Sequence, residues 1–387
     1  MKVCAAYILG RMSTEELLHE GLVPTPGKRI RRGGLHALTG VRFFAAIWVL
    51  AFHFGAAFTE RAHMPHLVTA FLQRGELGVA LFFMLSGFIL YYTYQGNLQT
   101  PRDVYKFFVA RIARLYPVYL LAIAISIPLH GRLPDRGELL IFPMLQSWVP
   151  PVSGTGYAWI IQAWTLSVEA FFYICFPLLL FPLRRTWSAT SLWLCAAALF
   201  LLNVFLRTPM FHPLIPATWL TRSIILPILC LPEFVLGMVL GALFLRKRDH
   251  EPDATTNDWI TAAGILPCCL IIASGAGDLL TSLAAVLCFG WSIYRLGNGR
   301  GWLTNFLSSP PMLLLGGASF SIYLLQALVR ESTHRLLSGF RPGLDAILSP
   351  LILIVLCCLI FLYYEEPMRD VVRNLLVRKN AGAKVAA

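Results

Sequence analysis

The sequence predicts an all-α protein, a polytopic integral membrane helix bundle with about ten transmembrane helices and both termini in the cytoplasm. Of its 387 residues, 57% are hydrophobic and only 13% are charged, whereas a soluble domain carries about 25% charged residues. Leu, Ile, Val and Phe recur in blocks of about 17 to 25 residues, the length at which a helix crosses a bilayer. The distribution of Lys and Arg among the loops predicts the orientation.

Ten apolar segments account for the predicted helices. In order, they are about 37–57, 75–95, 114–131, 157–182, 188–206, 223–245, 257–274, 278–295, 310–329 and 346–364. The seventh and eighth are joined by a very short turn, and the largest outer loop, about 131–157, is rich in Pro and Gly and suited to cover a cavity. These boundaries predict a cytoplasmic extension at 1–35, a transmembrane domain at 36–373 and a cytoplasmic tail at 374–387.

The net charge of +12 reflects membrane topology rather than a nucleic-acid partner. Of the 32 Lys and Arg residues, 23 fall in the terminal segments or the loops that ten crossings place in the cytoplasm. Lys and Arg are enriched in cytoplasmic loops of membrane proteins. The basic run at 28–32, KRIRR, would hold the start of the first span on that side.

The first span carries two ionisable residues, Arg42 and His53, within RFFAAIWVLAFH. A charge inside a span costs about 2.5–3.5 kcal/mol on insertion scales, so each needs a reason. Eleven residues correspond to about three turns and about 16 Å, so the two side chains share a helix face. We interpret the pair as the lining of a polar channel; the alternative is a snorkelling Arg and a core His.

The fourth span contains Glu169 in WTLSVEAFFY, fifteen residues before Arg184. That spacing corresponds to about 22 Å and places Glu169 at a depth similar to that of His53. A carboxylate beside a neutral imidazole can fix its tautomer and support it as a general base. The alternative is a structural pair of Glu169 with an Arg or a Tyr.

Two further motifs flank these spans. The segment GELGVALFFMLSGF has glycines at 75, 78 and 87 beside Ser86, a pattern that allows close helix contact. Arg111 and Arg114, in RIARLYPVY, share one helix face at the cytoplasmic end of the third span. Such a pair suits a phosphate or pyrophosphate ligand, and the alternative is ordinary topology-setting charge.

Taken together, the motifs resemble the acyltransferase-3 family of membrane acyltransferases over about residues 36–373. They are Arg42 and His53 with ten residues between them, GVALFFMLSGFIL, RIARLYPVY, WTLSVEAFFY, GGASFSIYLLQ and YEEPMR. The family often has SYSLYLxH in the ninth span. Here Gln326 stands at the His position and Phe320 at the first Tyr. A histidine at that place cannot be essential in this protein, so His53 becomes the stronger candidate for a catalytic histidine.

The resemblance implies an O-acyltransferase of the bacterial inner membrane that acts in polysaccharide biosynthesis. The donor would be acetyl-coenzyme A or another acyl-coenzyme A, and the acceptor a hydroxyl of a glycan or lipid-linked sugar in contact with membrane lipid. His53 would be a general base or a transient acyl carrier, oriented by Glu169.

The remaining roles follow from the same resemblance. Arg42, Arg111 and Arg114 would hold the phosphates of the donor; Ser86, Ser167 and Tyr323 would bind the acceptor or the carbonyl oxygen; no metal is needed. Two alternatives remain: a transporter or flippase of a lipid-linked sugar, which the lack of a recognisable inverted repeat disfavours, and an acyltransferase with a macrolide-like small acceptor.

Overall fold

The computed structural model describes residues 32–61, 64–136, 138–148, 159–183, 187–206, 226–250, 257–297, 301–337 and 344–382, and these form helices without any strand. The helices are α1 (Arg32–Arg61), α2 (His66–Gln73), α3 (Leu77–Tyr94), α4 (Pro101–His130), α5 (Trp164–Leu183), α6 (Ala189–Leu206), α7 (Leu226–Leu229), α8 (Leu231–His250), α9 (Asp258–Ala273), α10 (Asp278–Leu296), α11 (Trp302–Leu307), α12 (Pro310–Leu337), α13 (Leu344–Ile360) and α14 (Glu366–Gly382). Short 3-10 turns lie at Glu138–Ile141 and Ile161–Ala163, and a π-helical turn, Phe361–Glu365, joins α13 to α14.

The predicted polytopic helix bundle is confirmed. Nine helical segments in the described part of the chain are long and apolar enough to cross a membrane. The remaining predicted span, the seventh, corresponds to α9, a shorter apolar helix of 16 residues. Of the predicted extension, only the last few residues lie within the described range, and α14 runs through the predicted boundary between residues 373 and 374.

Helices α1 and α12 run parallel and in register. Gly316 packs against the carbonyl of Thr39, and Arg330 donates a hydrogen bond of 2.7 Å to the carbonyl of His53, 277 residues away in sequence. The first pair has the same separation, 316 minus 39. Because the chain reverses direction at each crossing, parallel packing of the first and ninth predicted spans requires α9 to count as a crossing.

Close packing of α3 against α8 depends on glycines that face each other. A Cβ built on Gly87 would overlap the carbonyl oxygen of Phe234, and one built on Gly237 would overlap that of Met84. Gly75 and Gly78 likewise face the carbonyls of Trp48 and Ala45 on α1. The prediction that these glycines of the second span allow close helix contact is therefore confirmed, and α3 is fixed at the centre of the bundle.

Gly87→Ala is expected to destabilise the protein by about 1–3 kcal/mol, because the added methyl group must push the backbones of α3 and α8 apart. Thermal unfolding of the purified protein in detergent would measure the effect. Gly55→Ala is the matched control, because a Cβ at Gly55 on α1 has nothing within 4 Å. Equal melting temperatures for the two variants would contradict this account of the α3–α8 contact.

The segment after α4 folds back into the bundle. The hydroxyl groups of Tyr119 and Tyr116 donate hydrogen bonds to the carbonyls of Ile141 at 2.7 Å and Phe142 at 3.2 Å. Tyr119 lies eleven residues before His130, the last residue of α4, so the returning segment reaches about 16 Å back along that helix. It therefore fills space beside α4 within the bundle.

Arg132, just after α4, connects the two ends of this returning segment. Arg132 makes two hydrogen bonds of 2.8 Å to the carboxylate of Glu138, and its guanidinium lies 4.6 Å from the ring centre of Trp159. The hydrogen bond from Arg132 holds the pKa of Glu138 below its ordinary value. The indole of Trp159 also stacks on the ring of His130 at 4.3 Å, so both ends of the segment meet at one place.

Candidate active site

A central cavity of about 700 Å³, including its open part, lies among α1, α3, α4, α5 and α12. Five residues singled out from the sequence line it: Arg42, Ser86, Arg114, Glu169 and Tyr323. Its remaining walls are mostly apolar, with the hydroxyl groups of Thr165 and Ser319 among them. The structure thus brings together side chains from spans one, two, four and nine and from the start of span three.

A second space, the arginine-lined cavity, adjoins the first on the predicted cytoplasmic side. It has an empty volume of about 1460 Å³, including the part open to solvent. Its charged lining consists of five arginines and one glutamate: Arg42, Arg111, Arg114, Arg369, Arg373 and Glu366. The excess of positive charge makes this cavity suited to a ligand that carries several negative charges.

Arg42 and Arg114 line both cavities and form the wall between them. Among the described residues, neither guanidinium has a hydrogen bond or an ion pair within 4.0 Å. Arg42 lies 6.0 Å from the ring centre of Phe82, and both arginines interact at longer range with the carboxylates of Glu169 and Glu365. Their N–H groups are therefore available to a ligand at the junction, in the fork geometry that matches phosphate and carboxylate oxygens.

Arg111 is held differently from the other two arginines. Its guanidinium lies 5.6–5.7 Å from the ring centres of Tyr94, Phe107 and Tyr173. It also donates a hydrogen bond of 3.4 Å to the hydroxyl of Tyr94. The rings surround the cation and fix its position at the edge of the arginine-lined cavity.

Glu169 accepts a hydrogen bond from the hydroxyl of Tyr173, one turn further along α5. Helices α4 and α5 are antiparallel, since Phe107 stacks on Phe176 and Arg111 lies over Tyr173. The same register brings Arg114 level with Glu169. The carboxylate is thereby placed among a phenol and two arginines, which corresponds to the Glu–Tyr pair considered as an alternative from the sequence.

His53 lines neither cavity and makes no hydrogen bond or ion pair with Glu169. Its Nδ1 lies 2.9 Å from the carbonyl oxygen of Val49, one turn back on α1. A carbonyl only accepts, so Nδ1 carries a proton, and Nε2 is the nitrogen that can accept one. A backbone carbonyl thus orients the imidazole, in place of the carboxylate that the sequence predicted for this role.

Ser167 lies apart from the cavities. It is fully buried, and its hydroxyl accepts a hydrogen bond of 3.3 Å from the backbone N–H of Ser147. Ser147 in turn donates to the carbonyl of Trp164 at 2.9 Å. In the described structure Ser167 anchors the returning segment to α5, whereas Ser86 and Tyr323 face the central cavity.

The charged end of the chain contributes residues that the sequence did not identify as part of the site. Glu365, in the π-helical turn, is buried and accepts hydrogen bonds of 2.7 Å from Ser321 and Arg369. Its carboxylate also interacts electrostatically with Arg42 and Arg114. The motif YYEEPMR drew attention to these acids, but their approach to Arg42, more than 300 residues away, depends on the packing of α13 and α14.

The comparisons with known proteins agree on one assignment. A family model described as an acyltransferase domain, of the acyltransferase-3 type, matches residues 35–364. The acyltransferase MdmB of Streptomyces mycarofaciens is 30% identical over 337 residues, which are 79% of this chain and 81% of that protein. The exopolysaccharide production protein ExoZ of Rhizobium meliloti (strain 1021) is 33% identical over 282 residues, 70% of this chain and 81% of that protein.

No solved structure matches the chain. The family match runs from the first turn of α1 into the π-helical turn and includes every residue that lines the central cavity. The chain is a multi-pass membrane acyltransferase and belongs to the acyltransferase-3 family.

Proposed function

We propose that this acyltransferase moves an acyl group, usually acetyl, from acyl-coenzyme A in the cytoplasm to a hydroxyl group of a glycan or other carbohydrate-containing acceptor. The bacterial inner membrane is the proposed location, with the acceptor at or across that membrane. The name of one relative supports a glycan acceptor, since ExoZ is described as an exopolysaccharide production protein and aligns over 81% of its length.

The observation that carries the proposal is the wall made by Arg42 and Arg114. Coenzyme A has a pyrophosphate and a 3′-phosphate at one end and a thioester at the end of a long, nearly neutral arm. The arginine-lined cavity has the charge to hold those phosphates, and the central cavity beyond the wall is mostly apolar. A ligand anchored at the wall would therefore place its thioester inside the bundle.

The distances along the helices agree with the length of such a donor. The ring of His53 lies about 10 to 16 Å further along α1 than Arg42, at 1.5 Å per residue. The extended arm of coenzyme A is of similar length. In this arrangement Arg42, Arg111 and Arg114 bind the phosphates, and Ser86 and Tyr323 offer hydroxyl groups along the path of the arm.

His53 is proposed as the general base. Its Nε2 takes the proton from the acceptor hydroxyl as the oxygen attacks the thioester carbonyl and forms the new ester bond. The carbon–sulfur bond breaks, coenzyme A leaves as a thiolate, and the imidazolium returns the proton to the sulfur. A transient acyl group on Nε2 would give the same products in two steps. Val49 holds the ring in the required tautomer in either case.

Transfer of label from [acetyl-¹⁴C]acetyl-coenzyme A by the purified protein in lipid nanodiscs tests the proposal. We expect release of free coenzyme A that depends on a carbohydrate acceptor, with label in an alkali-labile ester. Succinyl-coenzyme A in parallel assays identifies the acyl group. Movement of a lipid-linked sugar across the bilayer without any release of coenzyme A would contradict the proposal and favour the transporter alternative.

A further inference from the structure

A group of buried side chains, three amides and one indole, each with at least one unpaired polar atom, lies between α12 and the start of α5. Ten buried side-chain N and O atoms in the described residues have no hydrogen-bond partner, and five of them belong to this one region. They are Oε1 of Gln146, Nε1 of Trp159, both Nε2 and Oε1 of Gln162, and Oε1 of Gln326. Gln162 and Gln326 are only 2% and 1% exposed.

Such a concentration of unpaired polar atoms calls for a binding partner. A buried polar atom without a hydrogen bond is costly, and native proteins keep few of them. Gln162 is the extreme case because neither atom of its amide is paired, and Gln326 uses only its Nε2, which donates to the carbonyl of Tyr323 at 2.9 Å. A ligand with donors and acceptors of its own would satisfy the whole group.

The register of α1 and α12 places these amides at the same depth as the proposed base. With residues 277 apart lying level, Gln326 lies level with Val49, whose carbonyl binds the ring of His53. Gln162 belongs to the same layer, because its carbonyl accepts a hydrogen bond of 3.5 Å from the hydroxyl of Tyr323. The amide group is therefore at the depth of the imidazole.

The amide group lies behind two residues of the wall of the central cavity. Tyr323 and Thr165 line that cavity, and the hydroxyl of Thr165 donates to the carbonyl of Gln162 at 3.0 Å. The polar groups thus follow one another from the predicted cytoplasmic side: first Arg42 and Arg114, then Tyr323 and Thr165, then the amides. A donor that enters from the arginine-lined cavity would end just short of the amides.

We propose that Gln162 and Gln326, with Gln146 and Trp159 beside them, form the acceptor site and bind the neighbouring hydroxyl groups of a sugar ring. This inference rests on the proposed function and names its acceptor end. Each sugar hydroxyl both donates and accepts. The amide of Gln162 can do both, whereas Gln326 and Gln146, whose Nε2 atoms already donate to backbone carbonyls, each offer an accepting Oε1. A ring with adjacent hydroxyls could therefore pair with Gln162 and with one of these oxygens. The amides are uncharged, which favours a neutral polyol over an anion.

The test uses the full-length protein in nanodiscs, with labelled acetyl-coenzyme A and two acceptor probes. Octyl β-D-glucoside presents a sugar ring, and 1-octanol presents a single hydroxyl on the same chain. Gln162→Met and Gln326→Met keep the side-chain length and remove the amide. Thr304→Val is the matched control, because it removes an equally buried and unpaired polar atom on α11, away from both cavities.

Both amide variants are expected to raise the KM for the glucoside about tenfold, the effect of losing one or two net hydrogen bonds. The KM for acetyl-coenzyme A and the octanol reaction should stay at parental values, as should all constants of Thr304→Val. A purely structural role would lower the melting temperature without separating the two KM values.

If the KM for the glucoside stays at the parental value in both amide variants, the inference is overturned and the proposed function stays intact. Equal kcat/KM for octanol and glucoside in the parent would also overturn it, because the amides would then confer no preference for a sugar. Failure of the parent to acylate either probe, with no release of coenzyme A, would instead count against the proposed function.

Discussion

His53→Gln is expected to lower kcat/KM for acyl transfer by about 10²- to 10⁴-fold, the usual contribution of a general base. Glutamine can still hydrogen-bond the carbonyl of Val49 through its amide N–H, so α1 keeps its local structure. It cannot take a proton from the acceptor. The KM for the acyl donor should hardly change, because His53 lines neither cavity.

His66→Gln is the matched control for this measurement. His66 is an exposed residue at the start of α2, outside both cavities, so its replacement should leave the rate at the parental value. Single-turnover assays with labelled acetyl-coenzyme A would also distinguish the two roles of His53. A transient acyl carrier leaves acid-labile, hydroxylamine-sensitive label on the parent that His53→Gln lacks. Full transfer activity in His53→Gln would remove His53 from the mechanism altogether.

The second large expected effect is on donor binding, when Arg42 and Arg114 of the wall between the cavities are replaced. Arg42→Gln and Arg114→Gln are each expected to raise the KM for acyl-coenzyme A by about 10- to 150-fold, because a hydrogen bond to a charged group contributes about 1.5–3 kcal/mol. The kcat at saturating donor should fall less, since the arginines bind the donor equally before and during the reaction. In the double variant, the increase in the KM for the donor should be smaller than the product of the two single increases, because the two side chains bind one ligand.

Three measurements make this prediction decisive. Arg136→Gln removes an exposed arginine of the outer loop and should leave the KM for the donor unchanged. Raising the salt concentration should increase the KM for the donor more in the parent than in the double variant. The double variant has lost two positive charges, so salt has less attraction to screen there. A donor KM that stays at the parental value in both single variants would show that the phosphates bind elsewhere.

The sequence was sufficient to predict the order of ten apolar helical segments, nine of which, in the described part of the chain, are long and apolar enough to cross a membrane. Each span is a block of apolar residues bounded by charge or by Pro and Gly, and this pattern depends only on the thickness of the bilayer. Even α9, which is shorter than the rest, was located by its apolar run and its short turn to α10. The close approach of α3 to its neighbours also followed from the sequence, because only glycine leaves room for a second backbone.

The pairing of residues across helices was less predictable. Residue counts gave similar depths for His53 and Glu169, but depth along a helix does not determine which face meets which neighbour. The antiparallel register of α4 and α5 directs Glu169 to Tyr173 and the arginines, and the ring of His53 turns back to its own helix. Glu365 joins the site only through the π-helical turn. The unpaired amide atoms of Gln162 and Gln326 become apparent only once their burial is known.

The register between α1 and α12 has a mechanical consequence. Gly316 fits against Thr39 at one end of the contact, and Arg330 holds the carbonyl of His53 at the other, so the two helices move as a single body. If the two helices slid or separated, both the Gly316–Thr39 contact and the Arg330–His53 hydrogen bond would break. Arg42 and His53 lie on one of these helices and Gln326 on the other, so we expect their backbones to keep fixed spacings during turnover. In the proposed reaction, the flexible arm of the acyl carrier would then supply the movement that brings the acyl group to the imidazole.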